Sequence, residues 1–340
     1  MILNHADDFK PLRLLSNPHA QTLFASLAFP KAPALVRERI ELRDGDFLDA
    51  DVAVPACAKE GSPWVLVLHG LEGSSAAPYM LRMARGLTSR GIEACLLNLR
   101  GCSGPPNRLG RSYHSGETDD VRAAFMHLAA RRIGRSCGMI GFSVGGNLVM
   151  KFLGEAGSSA PALLKTAVAI SPPFTLEGAA RTLDRWSGAP YRAYFIRTLR
   201  AKALAKIAQF PGLADSRRVR AATTFAQFDE AFTAPVHGFR DARDYWTRCS
   251  GGGYLDAIAR DLLVLTSADD PFFPADYIPA SALAMHRHVH AVVTKRGGHV
   301  GFVGGSTFAP DFWAEVRAAD HVARTFADES GMGLSVAPGA

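Results

Sequence analysis

The chain of 340 residues has no apolar run near the roughly 18 to 20 residues that cross a bilayer. Its start, MILNHADDFKPLRLL, puts acids where a signal peptide needs a basic flank and an apolar stretch. Cysteine is scarce: Cys57, Cys95, Cys102, Cys137 and Cys249 are scattered, odd in number, and form no CxxC pair. That spacing argues against a disulfide framework and a zinc knuckle. Internal repeats and low-complexity segments are also lacking. The expectation is a soluble globular protein of the cytoplasm with reduced thiols, some of them acting as small apolar residues inside strands.

What is present is a composition 48% hydrophobic and 21% charged, enough for one large core or a core with an inserted subdomain. WVLVLHG (64–70), IEACLLN (92–98), CGMIGFS (137–143), TAVAIS (166–171), LLVLTS (262–267) and HAVVTK (290–295) are short aliphatic runs closed by turn residues. They read as strands buried on both faces. Segments of helical period lie between most of them, such as YMLRMARGLTSRG and DDVRAAFMHLAARRIG. Alternating strand and helix predicts an α/β fold, a mostly parallel twisted sheet covered by helices on both faces. Asp-Gly between two extended runs near 34–55 predicts a hairpin of edge strands. FWAEVRAADHVARTFA predicts a final amphipathic helix. The stretch 174–253 has helical period without a strand and is too long for an ordinary connection, so it is expected to be an inserted, mainly helical cap. The core would then be 1–173 with 254–330, and 331–340 a loose tail.

Gly141-Phe142-Ser143-Val144-Gly145 follows a predicted strand and precedes the helical run NLVMKFLGE. Strand, tight turn and helix in that order make the nucleophile elbow, where glycines leave room for a strained turn and the serine hydroxyl is pushed out at the sheet's carboxyl end. A serine needs a base, and the base an orienting carboxylate, in the chain order Ser, acid, His. The acid lies in LTSADDPFFP, as Asp269 or Asp270, after a predicted strand. The base is His299 in VVTKRGGHVGFVGG, at the end of the last predicted strand. LHGLEGSS supplies an oxyanion site: the backbone NH groups of Leu71 and Val144 would converge on a carbonyl oxygen.

With these residues in view, the chain resembles the α/β-hydrolase superfamily and, within it, the YheT-like branch. The resemblance runs from NPHAQT (17–22) through HGLEGSS, NLRGCSG (98–104), YHSGETDDVR (113–122), GFSVGGN and FDEAFTAPVHGF (228–239) to SADDPFFP and GGHVGF. It implies a serine hydrolase with Ser143 as nucleophile and carboxylic esters as substrates. The proline four residues beyond Asp270 matches the acid loop of related hydrolases, so the resemblance selects Asp270 over Asp269 to complete the relay with His299. An acyltransferase, a thioesterase or a peptidase would use the same constellation, and a non-catalytic binding protein could keep the fold.

The chemistry calls for no metal or organic cofactor. His286, His288 and His290 in MHRHVH lack a completing Cys or carboxylate and read as a solvated strand edge. Residues 174–220 hold ten basic side chains against three acids, a local +7 in a chain of net charge +6. Within them Tyr191, Phe195, Leu199, Ala203 and Ile207 fall four apart, an apolar stripe beside arginines and lysines. The stripe reads first as a solvated helix packing its apolar face on the core. Alternatively it lines the substrate entrance, for an acyl chain with an anionic head group or a transient contact with an anionic membrane surface. The expected partner is a small-molecule ester or lipid-like substrate. No nucleic-acid module accompanies the basic residues, and no protein partner is implied.

Overall fold

A computed structural model of the chain describes residues 4–5 and 9–329, so the expected tail at 331–340 lies outside the described residues. The first elements are β1 (Asn4–His5), α1 (Pro18–Leu27), β2 (Val36–Glu41) and β3 (Phe47–Ala53). Strand and helix then alternate: β4 (Trp64–Leu68), α2 (Pro78–Thr88), β5 (Glu93–Asn98), α3 (Thr118–Ala130), β6 (Cys137–Phe142), α4 (Val144–Ala156), β7 (Leu164–Ile170). A helical stretch follows: α5 (Leu176–Leu183), α6 (Ala189–Gln209), α7 (Ser216–Ala221), α8 (Phe225–Phe228), a π-helical turn at Asp229–Thr233, α9 (Ala234–Val236) and α10 (Ala242–Cys249). The last elements are β8 (Leu262–Ser267), α11 (Ala280–Met285), β9 (Val289–Thr294), the short pair β10 (Val303–Gly305) and β11 (Pro310–Phe312), and α12 (Trp313–Glu329).

The main sheet has nine strands in the order β1-β9-β8-β7-β6-β4-β5-β3-β2. The strands from β1 to β5 in that order are parallel, and β3 and β2 close one edge as an antiparallel hairpin around Asp44-Gly45. Successive strand residues point to opposite faces. Leu66, Leu68, Met139, Ala167 and Ala169 therefore join one buried cluster with Phe125, Leu148 and Phe152 of α3 and α4. Val65, Val67, Ile140 and Val168 join another with Met83 and Leu87 of α2 and Ala318 and Val322 of α12. Two covered faces are why β4, β5, β6 and β8 are buried at every position and show no alternation of polarity, their polar residues Glu93, Asn98, Thr266 and Ser267 falling at strand ends.

Helices α5 to α10 lie wholly between β7 and β8. They bury Leu183, Ile196, Ala203, Phe225, Phe228 and Trp246 in the same cluster that holds α3 and α4, so they cover one face and one end of the sheet. The loops that leave β4, β6, β8 and β9 meet at the carboxyl ends of the strands, beneath this cover. In sheets of this kind ligands bind there.

Candidate active site

Ser143 is the turn between β6 and α4, with φ 52° and ψ −118°, a strained conformation for a residue with a side chain. The turn is fixed by the Ser143 amide donating to Ile170 O at 2.8 Å. A methyl group on Gly145 would lie 2.3 Å from Leu68 O and 2.8 Å from His69 O. On Gly141 it would lie 2.1 Å from Gly145 O. Only glycine lets the start of α4 lie directly against the end of β4. Gly145→Ala is expected to lower unfolding stability by about 1 to 3 kcal/mol, the usual range for overpacking, read by denaturant titration with an unchanged slope.

The three side chains expected to act together form one hydrogen-bonded line. His299 Nε2 is 2.8 Å from Ser143 Oγ, and His299 Nδ1 is 2.8 Å from Asp270 Oδ2. A carboxylate only accepts, so Nδ1 carries the proton and donates it to Asp270, leaving Nε2 to accept from the serine hydroxyl. Asp270 and His299 are both buried. The other oxygen of Asp270 accepts the Phe272 amide at 2.9 Å. Asp269 instead accepts the Gly298 amide at 3.0 Å and shapes the loop that carries the histidine.

That loop is held from several sides. The His299 amide donates to Thr22 Oγ1 at 2.9 Å and the Val300 amide to Ser171 Oγ at 3.1 Å. Gln21 is fully buried, donates through Nε2 to Val303 O at 3.0 Å and accepts the Val303 amide at 2.6 Å. Ser171, Val300 and Phe302 have φ of 46°, 52° and 45°, so backbone strain gathers around the imidazole. The ring stacks on Phe272 with centroids 4.0 Å apart and planes 13° apart, and Phe273 meets it edge-on.

His69 organises the opposite side. The Leu99 amide donates to its Nε2 at 3.1 Å, so its proton sits on Nδ1 and is donated to Gly70 O at 2.7 Å. Burial pushes its pKa down to about 4, so the ring stays neutral. Gly73 N donates to the same carbonyl at 3.0 Å. Carbonyl and following N–H point opposite ways across a trans peptide, so pinning Gly70 O leaves the Leu71 N–H on the other side of the peptide plane. Glu72, next in line, has φ 55°. Its amide donates to Tyr113 Oη at 2.8 Å, and its carboxylate accepts from Tyr113 at 3.0 Å and from Lys202 of α6 at 3.1 Å.

Ser143, His299, Leu71 and Val144 all line one cavity of about 1080 Å³. Its other walls are largely apolar and come from α1 and the helical cover, with Tyr191, Phe195, Leu199 and Ala203 of the α6 stripe among them. The basic residues around that stripe are mostly engaged within the chain. Lys206 is buried and donates to Asn107 O and Leu109 O at 2.5 and 2.6 Å. Arg200 reaches the carbonyls of Arg220 and Ala222, Arg192 that of Asp184, Arg181 pairs with Glu177, and Lys202 with Glu72.

Residues 63–305 match the family model described as alpha/beta hydrolase fold. The chain belongs to the α/β-hydrolase family. It is 36% identical to "Putative esterase YheT" of Escherichia coli over 92% of each chain, which puts it in the YheT-like branch. It is 29% identical to phospholipase ABHD3 of Mus musculus over 84% of this chain and 71% of that one. The solved esterase Pf2001 of Pyrococcus furiosus superposes with a TM-score of 0.54 at 18% identity, over 93% of this chain and 99% of that one, a likeness of fold.

In this α/β hydrolase the segments that carry the family resemblance turn out to position the site. In NPHAQT, Asn17 caps α1, His19 stacks on Tyr191 of the cover, Gln21 ties to Val303, and Thr22 holds the His299 amide. In NLRGCSG, Arg100 is buried among Asp44, Asp46 and Asp120, which pins this loop to the β2–β3 hairpin. Burial alone would raise the pKa of Asp46, but hydrogen bonds from Asn107, the Arg108 amide and Arg100 hold it down to about 2. Asn147 of GFSVGGN donates to the carbonyls of Ser115 and Cys249, both at 2.8 Å, joining α4 to YHSGETDDVR and to the end of α10.

His286, His288 and His290 do not gather: His288 faces Asp261 at 3.2 Å, and the rings of His286 and His288 stand 6.5 Å apart. Among the described residues His114, Glu117 and His237 do place possible ligand atoms within 4.8 Å of one another, a grouping that sequence spacing does not reveal. Glu117 is already paired with Arg111, and His114 Nδ1 accepts the Gly116 amide at 3.1 Å, so a metal there would compete with a cation and a hydrogen bond. None of the described helices is long and apolar enough to cross a membrane.

Proposed function

We propose that the protein is a serine hydrolase that cleaves carboxylic esters through an acyl-enzyme on Ser143. The observation that carries this reading is the continuous line from Ser143 Oγ through the His299 ring to Asp270, 2.8 Å at each step, on the wall of a large cavity. His299 Nε2 takes the hydroxyl proton as Oγ attacks the ester carbonyl. Asp270 keeps the Nδ1–H tautomer and stabilises the imidazolium that forms. The Leu71 and Val144 amides receive the oxyanion. The imidazolium then protonates the departing alcohol, and water, deprotonated by the same nitrogen, releases the acid.

The volume lies just above the roughly 300 to 1000 Å³ usual for ligand sites, and the apolar lining suits an acyl chain rather than a polar ester. The phospholipase and esterase names of the relatives support a lipid-like ester. A fluorophosphonate probe is expected to label the purified protein, and to fail on Ser143→Ala. A series of p-nitrophenyl esters from acetate to palmitate is expected to give a kcat/KM that rises with chain length before it falls. Absence of both labelling and turnover in the folded protein would overturn the assignment.

A further inference from the structure

We propose that the rim of the cavity docks on an anionic lipid surface, which brings the mouth of the site against the membrane face where acyl esters lie. This use of the rim rests on the ester-hydrolase reading above. Leu23, Leu27 and Tyr194 both line the cavity and are more than half exposed, which marks where it opens. On α1, His19, Leu23 and Leu27 fall four apart and share one face, and His19 stacks on Tyr191 at 5.7 Å. The exposed leucines therefore continue directly from the contact with α6, one turn from Tyr194. Ser187 and Pro190 line the same cavity, and Trp186 beside them is 89% exposed. A tryptophan left this far in water next to exposed leucine and tyrosine suits the boundary between headgroups and acyl chains.

Charge selects the occupant. Residues 9–35, which include α1, contain Lys10, Arg13 and Lys31 and no acid. Residues 185–214 contain four arginines and two lysines and again no acid. These two acid-free segments are the ones that meet at the mouth. Lys202 is paired with Glu72 and Lys206 is buried on backbone carbonyls, but Arg185 and Arg197 are exposed, carry no ion pair among the described residues, and flank Trp186 and Tyr194. A positive rim around apolar side chains, on a chain whose described helices do not cross a bilayer, suits peripheral contact with anionic headgroups. The stripe from Tyr191 to Ala203 does not itself form this surface, because it faces inward on the cavity.

The test mixes the full chain with phosphatidylcholine vesicles, with and without phosphatidylglycerol, and reads co-sedimentation and tryptophan emission. Trp64 and Trp246 are buried and Trp313 is half-buried, so Trp186 dominates any shift on binding. Binding and a blue shift are expected with phosphatidylglycerol, much weaker without it, and falling with salt. Arg185→Glu with Arg197→Glu is expected to lower partitioning at least about tenfold, and Trp186→Ser to remove the blue shift. Hydrolysis of water-soluble p-nitrophenyl acetate should be unchanged in both variants. No sedimentation with either vesicle, equal sedimentation by the charge-reversed variant, or a blue shift that follows protein concentration without vesicles would overturn the proposal, the last by assigning the face to a second copy of the chain. If the unaltered protein neither takes the fluorophosphonate label nor turns over any ester of the series, the hydrolase reading fails while the vesicle result still decides the docking.

Discussion

Replacing Ser143 with alanine is expected to lower kcat for a p-nitrophenyl ester by about a million-fold, close to 8 kcal/mol of transition-state stabilisation. The loss is that large because the other groups act only through this oxygen. Without Oγ, His299 Nε2 has no hydroxyl to deprotonate, and no covalent bond forms for the Leu71 and Val144 amides to stabilise. A residual rate some thousand-fold above water should survive, because the amides could still polarise a bound carbonyl. KM should change little, since the hydroxyl contributes little to holding an acyl chain in a cavity of this size. Ser143→Ala combined with His299→Ala should be no slower than Ser143→Ala alone, within about threefold, because the two residues act as one unit. Additive losses would mean that His299 serves something other than Ser143, and a single-variant loss below about a hundredfold would move the nucleophile elsewhere.

Much of this arrangement was legible in the residues, for identifiable reasons. A strand covered on both faces is apolar along its middle, so β4, β5, β6 and β8 stand out as aliphatic runs without alternation. Gly141 and Gly145 are dictated by backbone contacts shorter than any side chain allows, so the elbow announces itself locally. The supporting shell does not. Gln21 meets Val303 across 282 positions and Thr22 meets His299 across 277, distances over which no periodic pattern carries information. For the same reason NPHAQT stands out in the sequence only as a mark of family resemblance. Phe272, stacked on the imidazole, reads in sequence as one more aromatic after a proline. The basic excess at 174–220 was legible as charge but not as placement. Lys206 ends on two backbone carbonyls, whereas Arg185 and Arg197 remain in solvent, and only packing separates these outcomes.

The neighbouring acids Asp269 and Asp270 are expected to differ sharply when each is made an amide. Asp270→Asn should reduce kcat by about ten-thousand-fold, while Asp269→Asn should cost less than about tenfold. The cause is proton placement rather than loss of contact. One oxygen of Asp270 accepts the Phe272 amide at 2.9 Å, and that N–H selects the oxygen of the new side chain. The amide nitrogen then faces His299 Nδ1 in place of the carboxylate oxygen now 2.8 Å away. Two N–H groups cannot share that contact, so the imidazole proton moves to Nε2 and points at Ser143, where the ring can no longer accept the hydroxyl proton. In Asp269→Asn the new side chain would keep its carbonyl oxygen for the Gly298 amide, leaving the loop as it is. Because the fault in Asp270→Asn is a tautomer, kcat should fall with KM nearly constant, and fluorophosphonate labelling should slow in the same proportion without vanishing. If the two variants lose activity equally, or Asp269→Asn loses more, the orienting carboxylate is not the one that touches the ring.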